Sequence, residues 1–300
     1  MSGLPIELAR TDPNRPALIA GPTASGKSAL ALRLAVSQGR RVVNADALQV
    51  QQAWRVLTAR PTQADEAAAP HALYGHVGWG APYSVGTWLR EVRPLLRARP
   101  APVIVGGTGL FLTALTEGLV EMPPTDDAVR AEGDALLRAS GLPVMVADLD
   151  TRTRERIDTA NPARVQRAWE VLKQTGRGLA DWQDETGPPD LPLRKAAAFL
   201  IDAPKEQLDP RIEGRFDAML EAGAIEEAEA VLPFWNERVP GAKAIGASEL
   251  IAHLRGEMTL DDARERAIVA TRRYATRQRT WFRSRMTEWR RIPMIPSDAR

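Results

Sequence analysis

The sequence contains no cysteine among its 300 residues. This absence excludes disulfide bonds, thiolate metal sites and cysteine nucleophiles. Histidine is nearly as scarce, with three residues in the whole chain. His71 and His76 lie close in sequence, but without cysteine and without an adjacent acidic pair they lack the pattern of a metal site. We interpret them as core or loop histidines.

Long apolar runs are also missing. Every apolar stretch falls far short of the roughly 20 residues that a membrane-spanning helix needs. The first sixteen residues, MSGLPIELARTDPNRP, have no basic region followed by an apolar core, so they do not indicate a secretory signal. The composition, with 44% hydrophobic and 26% charged residues, is that of an ordinary globular protein. We therefore expect a soluble cytoplasmic protein with no membrane partner. We also expect a monomer, although composition does not determine the oligomeric state.

Positive charge is concentrated near the C-terminus. The net charge of the whole chain is only +2, yet residues 264–291 hold ten arginines, no lysine and two glutamates. This basic segment carries +8 and the rest of the chain −6. Such an asymmetry indicates a polyanionic partner, either nucleic acid or an anionic membrane surface. The alternative is a solvated helix whose arginine stems cover apolar surface.

Strand and helix patterns alternate along much of the chain. Short apolar runs predict strands at 17–20, 41–46, 102–105 and 198–202, with helices after the first and third. This alternation predicts an α/β fold, a parallel sheet with helices on both faces. Between proline-rich breaks at 122–124 and 187–189 the pattern is helical, and from Asp209 onward it is mostly helical again. We expect a core of residues 1–120 and 191–300, with an inserted all-helical domain at 121–190.

A phosphate-binding loop follows the first predicted strand. The motif G-x-x-x-x-G-K-[ST] is matched in full by Gly21, Pro22, Thr23, Ala24, Ser25, Gly26, Lys27 and Ser28. In such a P-loop the backbone N–H groups and the helix N-terminus surround a phosphate, the lysine adds a full charge and the serine can ligate Mg²⁺. The ligand can be a nucleotide, as in P-loop NTPases, or a diphosphate without a base.

Asp46 ends the second predicted strand. Open α/β sheets bind ligands at this carboxyl edge, so Asp46 is expected to face the phosphate loop. A carboxylate there acts as a partner of Mg²⁺ or water, or as a general base. An ordinary loop aspartate remains the alternative.

Nine motifs run in order from Gly21 to about Arg285. Together they resemble the tRNA dimethylallyltransferase family, whose members transfer a five-carbon isopentenyl group to an adenosine beside the anticodon. The motifs are GPTASGKSALA (21–31), NADALQV (44–50), TARP (58–61), YSVGTWLREV (83–92), VGGTGLF (105–111), RVQRAWEVLKQTG (164–176), RFDAMLEAGAIEE (215–227), KAIGASE (243–249) and TRRYATRQRTWFR (271–283).

The resemblance implies a role for each part of the site. The phosphate loop would hold dimethylallyl diphosphate together with Mg²⁺, and ATP would not be used. Thr23 and Arg215 match residues that hold the leaving diphosphate, and Asp46 matches the general base. Residues at or near the implied contacts with the tRNA anticodon stem–loop are Asp46, Ala47, Leu48, Gln49, Thr108, Arg130, Arg164, Gln166, Arg167 and Lys243, and the basic segment adds Arg277, Arg279 and Arg283. The inserted domain would clamp the stem–loop.

Three other functions stay open at this point. A P-loop kinase of a nucleoside or small metabolite would consume ATP, whereas the transferase releases diphosphate. A prenyltransferase of free adenine nucleotides would share the loop and the base but would not need the basic segment. A non-catalytic tRNA-binding module is the third, because Gln51 and Ala247 replace tyrosines that are common in the family.

Overall fold

The structure, a computed structural model, describes residues 4–294 and contains a six-stranded sheet. All neighbouring strands are parallel, and their order across the sheet is β3-β2-β4-β1-β5-β6. The order places β4 between β1 and β2, so the loops that follow these three strands meet at one edge. The strands are β1 (Ala17–Ala20), β2 (Val42–Asn44), β3 (His71–Ala72), β4 (Val103–Gly106), β5 (Ala197–Asp202) and β6 (Arg290–Pro293).

Helices cover this sheet, as expected for buried parallel strands. Every residue of β1 and β4 is buried. The helices are α1 (Ile6–Ala9), α2 (Lys27–Gln38), α3 (Gln63–Ala68), α4 (Val85–Leu95), α5 (Gly109–Glu117), α6 (Asp127–Ala147), α7 (Thr151–Arg156), α8 (Pro162–Thr175), α9 (Leu179–Asp184), α10 (Lys205–Glu221), α11 (Ala224–Val231), α12 (Ala247–Leu254) and α13 (Leu260–Arg285). The fold is therefore the α/β class that the alternating pattern predicts.

Two strands were not anticipated from the sequence. β6 lies in the region after Asp209 that was expected to be mostly helical, and it pairs with β5 at the edge of the sheet. Only Ile292 of this strand is buried, and its first two residues are exposed arginines. A four-residue edge strand of this composition has no apolar run to reveal it, and Pro293 is tolerated there because edge strands need fewer ladder hydrogen bonds. β3 has two residues and gives no pattern at all.

The chain divides into two compact units. The first contains the sheet and comprises the chain up to Glu117 together with the part from Asp190 onward. The second, Gly118–Pro189, is entirely helical apart from its connections. It has its own core around Met145, Val165 and Trp169. The sequence placed the limits of this insertion at 121 and 190.

No helix between residues 4 and 294 is long and apolar enough to cross a membrane.

Arg40 is a buried cation that connects the segments immediately before β1 and β4. Its side chain is 0% exposed and donates to the carbonyls of Ala101, Pro102 and Arg15 at 2.6–2.9 Å. Burial lowers its pKa to about 10. Arg40→Met would leave these carbonyls unsatisfied, so we expect a loss of about 3 kcal/mol in the free energy of unfolding. Urea denaturation measures it, with the exposed neighbour Arg41→Met as control, and a loss below about 1 kcal/mol for Arg40→Met would contradict this role.

Candidate functional site

The phosphate loop connects β1 to α2 in a tight turn. Gly26 has the left-handed φ of 84° immediately before the helix, a conformation that glycine adopts without steric cost. Gly21 has no room for a side chain, because a Cβ there would lie 2.6 Å from Oγ of Ser25. The amide of Ser25 donates to the carbonyl of Pro22 at 3.2 Å and closes the turn. Oγ of Ser25 is buried and has no hydrogen-bond partner.

Two cationic side chains lie at this loop. Lys27 is 7% exposed, and its Nζ donates to the carbonyl of Pro22 at 3.4 Å. Arg215, from α10, donates from Nη1 to Oγ1 of Thr23 at 3.1 Å. Burial lowers the pKa of both groups, and Asp46 raises both. The loop therefore has two poorly hydrated positive charges beside a row of backbone amides, which is an arrangement suited to an anion with more than one charge.

Asp46 lies just beyond β2 and is held on both sides of its backbone. Its amide donates to Oδ1 of Asn44 at 2.8 Å, and Nδ2 of Asn44 donates to its carbonyl at 2.9 Å. The carboxylate is 7% exposed and accepts from the amide of Leu48 through Oδ1 at 3.1 Å. Its other oxygen, Oδ2, lies near Gly107, where an added Cβ would come within 3.1 Å of it. The carboxylate is thus fixed in orientation with one oxygen directed at the turn after β4.

The turn after β4 packs directly on the loop that carries Asp46. Oγ1 of Thr108 accepts from the amide of Ala47 at 2.9 Å, and the amide of Thr108 donates to the carbonyl of Ala45 at 3.2 Å. Gly106 lies so close to the backbone of Ala45 that a Cβ would collide with it. The predicted contacts Thr108 and Ala47 are therefore brought together with Asp46. Nearby, Leu48 is half-buried, while Gln49 is buried and donates to the carbonyls of residues 58 and 59.

Gln278, on α13, joins these two halves of the site, although it is not among the site residues predicted from the sequence. It is 5% exposed. Its Oε1 accepts from the amide of Thr23 at 2.9 Å, and its Nε2 donates to the carbonyl of Gly107 at 2.9 Å. One carboxamide therefore connects the phosphate loop to the turn beside Asp46. The signal in the sequence was a glutamine on the buried side of α13, in line with Ala275 and Phe282, because a buried amide requires partners.

Tyr274 is a second residue of α13 that faces the site. Burial, followed by the negative charge of Asp46, raises the pKa of its hydroxyl, whereas Thr108 and Gln278 act in the opposite direction. Its phenol is therefore neutral at physiological pH. The guanidinium of Arg277 lies 5.8 Å from the centre of its ring. An aromatic ring with a cation beside it, next to a buried carboxylate, is a surface on which a nucleobase can stack.

The basic segment is an integral part of the sheet-containing unit. Several of its arginines form ion pairs within that unit, namely Arg264 with Asp217, Arg272 with Glu213 and Arg285 with Glu117. Arg277 and Arg283 are exposed and Arg279 is half-buried. The segment is thus neither a separate extension nor a fully solvated helix: part of its charge is internally paired, and the predicted contact residues Arg277, Arg279 and Arg283 lie outside those ion pairs.

The remaining predicted contacts lie elsewhere. Lys243 is exposed at the end of a short 3₁₀ turn, Pro240–Lys243, in the sheet-containing unit. The others belong to the helical unit, where Arg130 lies on α6 and the rest on α8: Arg164, Gln166 and Arg167. Arg130, Gln166 and Arg167 all contact Glu170.

Oxygen donors for a divalent cation are few at this site. Ser28 is exposed in the first turn of α2. Residues 4–294 contain no cluster of three or more His, Asp or Glu side chains that could hold a metal ion by themselves. This donor set fits Mg²⁺, which commonly takes one or two protein ligands and completes its shell with phosphate oxygens and water. It does not fit a metal that requires a full set of protein ligands.

Lys27 makes anion binding at the loop sensitive to pH. Its pKa is lowered to about 8, chiefly by burial. Because a lysine is charged only below its pKa, we expect the affinity for inorganic diphosphate to fall as the pH rises through about 8. Calorimetric titration between about pH 6 and pH 10 measures this, and Lys27→Arg, which stays protonated, should remove the part of the decrease that Lys27 causes. Identical profiles for the two proteins would contradict the assignment.

Two family models and several relatives match this chain. The IPP transferase model matches residues 49–285, and the isopentenyl transferase model matches residues 15–69. A tRNA dimethylallyltransferase of Dinoroseobacter shibae is 61% identical over 290 residues, which cover 96% of this chain and 97% of that protein.

Two solved structures share the fold of this chain. The crystal structure of a tRNA isopentenylpyrophosphate transferase from Bacillus halodurans has a TM-score of 0.65 and 27% identity, covering 94% of this chain and 90% of that one. A eukaryotic dimethylallyltransferase, captured crystallographically while acting on tRNA, shares the fold with a TM-score of 0.75 at 23% identity, over 93% of this chain and 74% of that one.

Proposed function

Because the chain belongs to the tRNA dimethylallyltransferase family, we propose that it transfers a dimethylallyl group from dimethylallyl diphosphate to tRNA. The acceptor is the exocyclic amine of the adenosine on the 3′ side of the anticodon, and the leaving group is diphosphate. The enzyme works in the cytoplasm as a monomer. The phosphate loop holds the diphosphate, and no nucleotide is consumed.

The observation that carries this proposal is the bridge made by Gln278. Its two hydrogen bonds, each 2.9 Å, hold the phosphate loop and the turn beside Asp46 in one fixed arrangement. A leaving diphosphate and an amine that must lose a proton need groups of these two kinds within one site. Lys27 alone would fit any P-loop protein, whereas the buried carboxylate of Asp46, held in one orientation, adds a group that can accept a proton.

The cationic side of the site stabilises the leaving group. As the bond between the allylic carbon and the diphosphate oxygen breaks, its electron pair remains on that oxygen and negative charge develops. Lys27 and Arg215 are fixed beside the loop before the reaction, so no reorganisation is needed to meet this charge. Thr23, held by Arg215, presents its hydroxyl at the same place. When bound, Mg²⁺ would neutralise further charge on the diphosphate, with Ser28 as its ligand.

Asp46 completes the reaction by accepting a proton. The adenine nitrogen forms a bond to the allylic carbon and passes its proton to the carboxylate. The amide of Leu48 binds Oδ1, which leaves Oδ2 free to accept. Burial of the carboxylate limits competition from water, which would otherwise attack the allylic cation.

The acceptor must leave its stack to reach this buried site. Bases of a single-stranded loop unstack at a cost of about a few kcal/mol, which makes an anticodon loop a feasible substrate. Tyr274 and Arg277 offer a stacking surface beside Asp46. The helical unit clamps the stem–loop through Arg130, Arg164, Gln166 and Arg167.

Product analysis tests the proposal. The protein is incubated with Mg²⁺, dimethylallyl diphosphate and unmodified tRNA, and the digested tRNA is analysed by mass spectrometry for an adenosine enlarged by one five-carbon unit. Parallel incubations replace tRNA by AMP, or dimethylallyl diphosphate by ATP. Modification of tRNA alone supports the proposal. Modification of AMP but not tRNA would favour a prenyltransferase of free nucleotides, and ADP formation a kinase.

The unpaired arginines of the basic segment should contribute to tRNA binding one charge at a time. Arg277→Gln, Arg279→Gln and Arg283→Gln are each expected to weaken binding and to lower the slope of log affinity against log salt by about one. Fluorescence anisotropy with labelled tRNA over a range of salt concentrations measures this. Arg264→Gln is the matched control, because Arg264 is paired with Asp217. Equal slopes for all four variants and the unmodified chain would contradict a role of these arginines in binding.

A further inference from the structure

Glu170 is a buried carboxylate in the middle of the inserted helical unit. It lies on α8 and is 3% exposed, and Val165, Trp169 and Val171 of the same helix are buried as well. An ionised side chain is rarely buried to this extent unless partners satisfy it, because its desolvation costs several kcal/mol or more. The side chains that bind this carboxylate therefore indicate why it is buried there.

Four side chains surround this carboxylate, and we call the group the Glu170 cluster. Oε2 accepts from Oγ1 of Thr125 at 3.0 Å, from Nη2 of Arg130 at 3.5 Å, and lies 3.9 Å from Nη1 of Arg167. Oε1 accepts from Nε2 of Gln166 at 3.2 Å. Arg167 also donates to Oγ1 of Thr125. One buried carboxylate thus holds together residues from α6, α8 and the segment before α6.

The cations of the cluster point outward while the anion is inside. The side chain of Arg130 is 57% exposed and that of Arg167 is 35% exposed, against 4% for Glu170. Arg164, one turn earlier on α8, is exposed as well. Burial and the neighbouring charge of Arg130 lower the pKa of Arg167, and Glu170 opposes both. Without the carboxylate, the two guanidinium groups would repel each other and separate.

We propose that Glu170 is a positioning residue for RNA: it fixes Arg130, Gln166 and Arg167 in the outward arrangement that binds the ribose–phosphate backbone. This inference rests on the proposed function. A guanidinium presents its donors as a rigid fork, so its orientation decides how many hydrogen bonds a phosphate receives. Glu170 itself, being buried, does not contact RNA.

The effect of Glu170→Gln on RNA affinity is expected to be opposite to the effect that the change in charge alone would have. Glu170→Gln removes a negative charge from a surface that binds a polyanion, so charge alone would tighten RNA binding. Glutamine can place its single oxygen where Oε2 lies, but that oxygen is neutral and the amide then faces the donor Nε2 of Gln166, so the hold on Arg130 and Arg167 weakens. If positioning matters more, binding weakens although the surface has become more positive.

The experiment measures the affinity of the full chain for a fluorescein-labelled anticodon stem–loop RNA by anisotropy. Glu170→Gln is expected to raise Kd about tenfold or more, the effect of losing one or two charge-assisted hydrogen bonds. The matched control is Glu132→Gln on α6, near Arg130, which removes the same charge from an exposed ion pair with Lys173 of α8. This control should bind equally or slightly more tightly.

A second variant and a kinetic readout separate positioning from folding. Thr125→Val keeps the carboxylate but removes the hydroxyl that connects it to Arg167, so a smaller rise in Kd is expected. In transfer assays both variants should raise KM for tRNA while kcat at saturating tRNA and the affinity for inorganic diphosphate stay unchanged. Unchanged or tighter RNA binding by both variants would overturn the inference. Failure of the unmodified chain to bind the RNA would instead contradict the proposed function.

Discussion

Asp46→Asn is expected to lower kcat for prenyl transfer by about 10²–10⁴-fold. Asparagine has nearly the same shape and can still accept from the amide of Leu48 through its remaining oxygen, so the loop should keep its structure. It cannot take the proton that the amine must lose. Single-turnover transfer to tRNA measures the chemical step, and anisotropy measures tRNA affinity, which should change by less than about threefold.

The control for this substitution is Asp202→Asn. Asp202 also ends a strand of the same sheet, β5, but it is exposed. Its replacement should leave transfer unchanged. If Asp46→Asn transfers the group at the original rate, Asp46 has no part in the mechanism. If both tRNA affinity and folding are lost, its role is structural.

Gln278→Leu is expected to lower kcat/KM by about 10²-fold, since a displacement of about 1 Å between reacting groups can have an effect of that size. Leucine fills a similar volume but releases the amide of Thr23 and the carbonyl of Gly107. The phosphate loop and the loop of Asp46 would then lose their common anchor. Steady-state kinetics with each substrate varied separately measures the loss, which should be present in kcat as well as in KM.

Thr280→Ala provides the control for Gln278, because Thr280 lies on the same helix but is exposed. The kcat/KM of this variant should equal that of the unmodified chain. Gln278→Glu is a stricter comparison: it can still accept from Thr23, but it cannot donate to Gly107 and adds a negative charge next to the diphosphate. Activity of Gln278→Leu within about twofold of normal would mean that the bridge does not position the substrates.

The parts of the site that are local in sequence could be predicted from it. The phosphate loop is a continuous motif between a strand and a helix, and Asp46 directly follows a strand, so both positions follow from the order of elements. Gln278 could not be found in this way, because its partners Thr23 and Gly107 lie 255 and 171 residues away. That contact depends on the tertiary packing of α13 against the phosphate loop and the turn after β4.

In the fold and in the basic segment, too, local features could be predicted from the sequence and contacts between distant segments could not. Buried parallel strands gave clear apolar runs, whereas β3 and β6 are too short or too charged to be recognised. The charge of residues 264–291 was evident, but its partial neutralisation by Asp217, Glu213 and Glu117 depends on α10 and α5 lying beside α13. Net charge along a sequence does not reveal such pairing, because the partners come from distant segments.

The most direct test of the central claim is the ratio of the products formed in one reaction mixture without ATP. The site predicts one inorganic diphosphate released for each prenylated adenosine in tRNA, with both products lost together in Asp46→Asn. Release of diphosphate without modified tRNA would contradict the claim that this phosphate loop holds the leaving group of a prenyl donor. So would modification that takes place only in a parallel mixture supplied with ATP and is accompanied by formation of ADP.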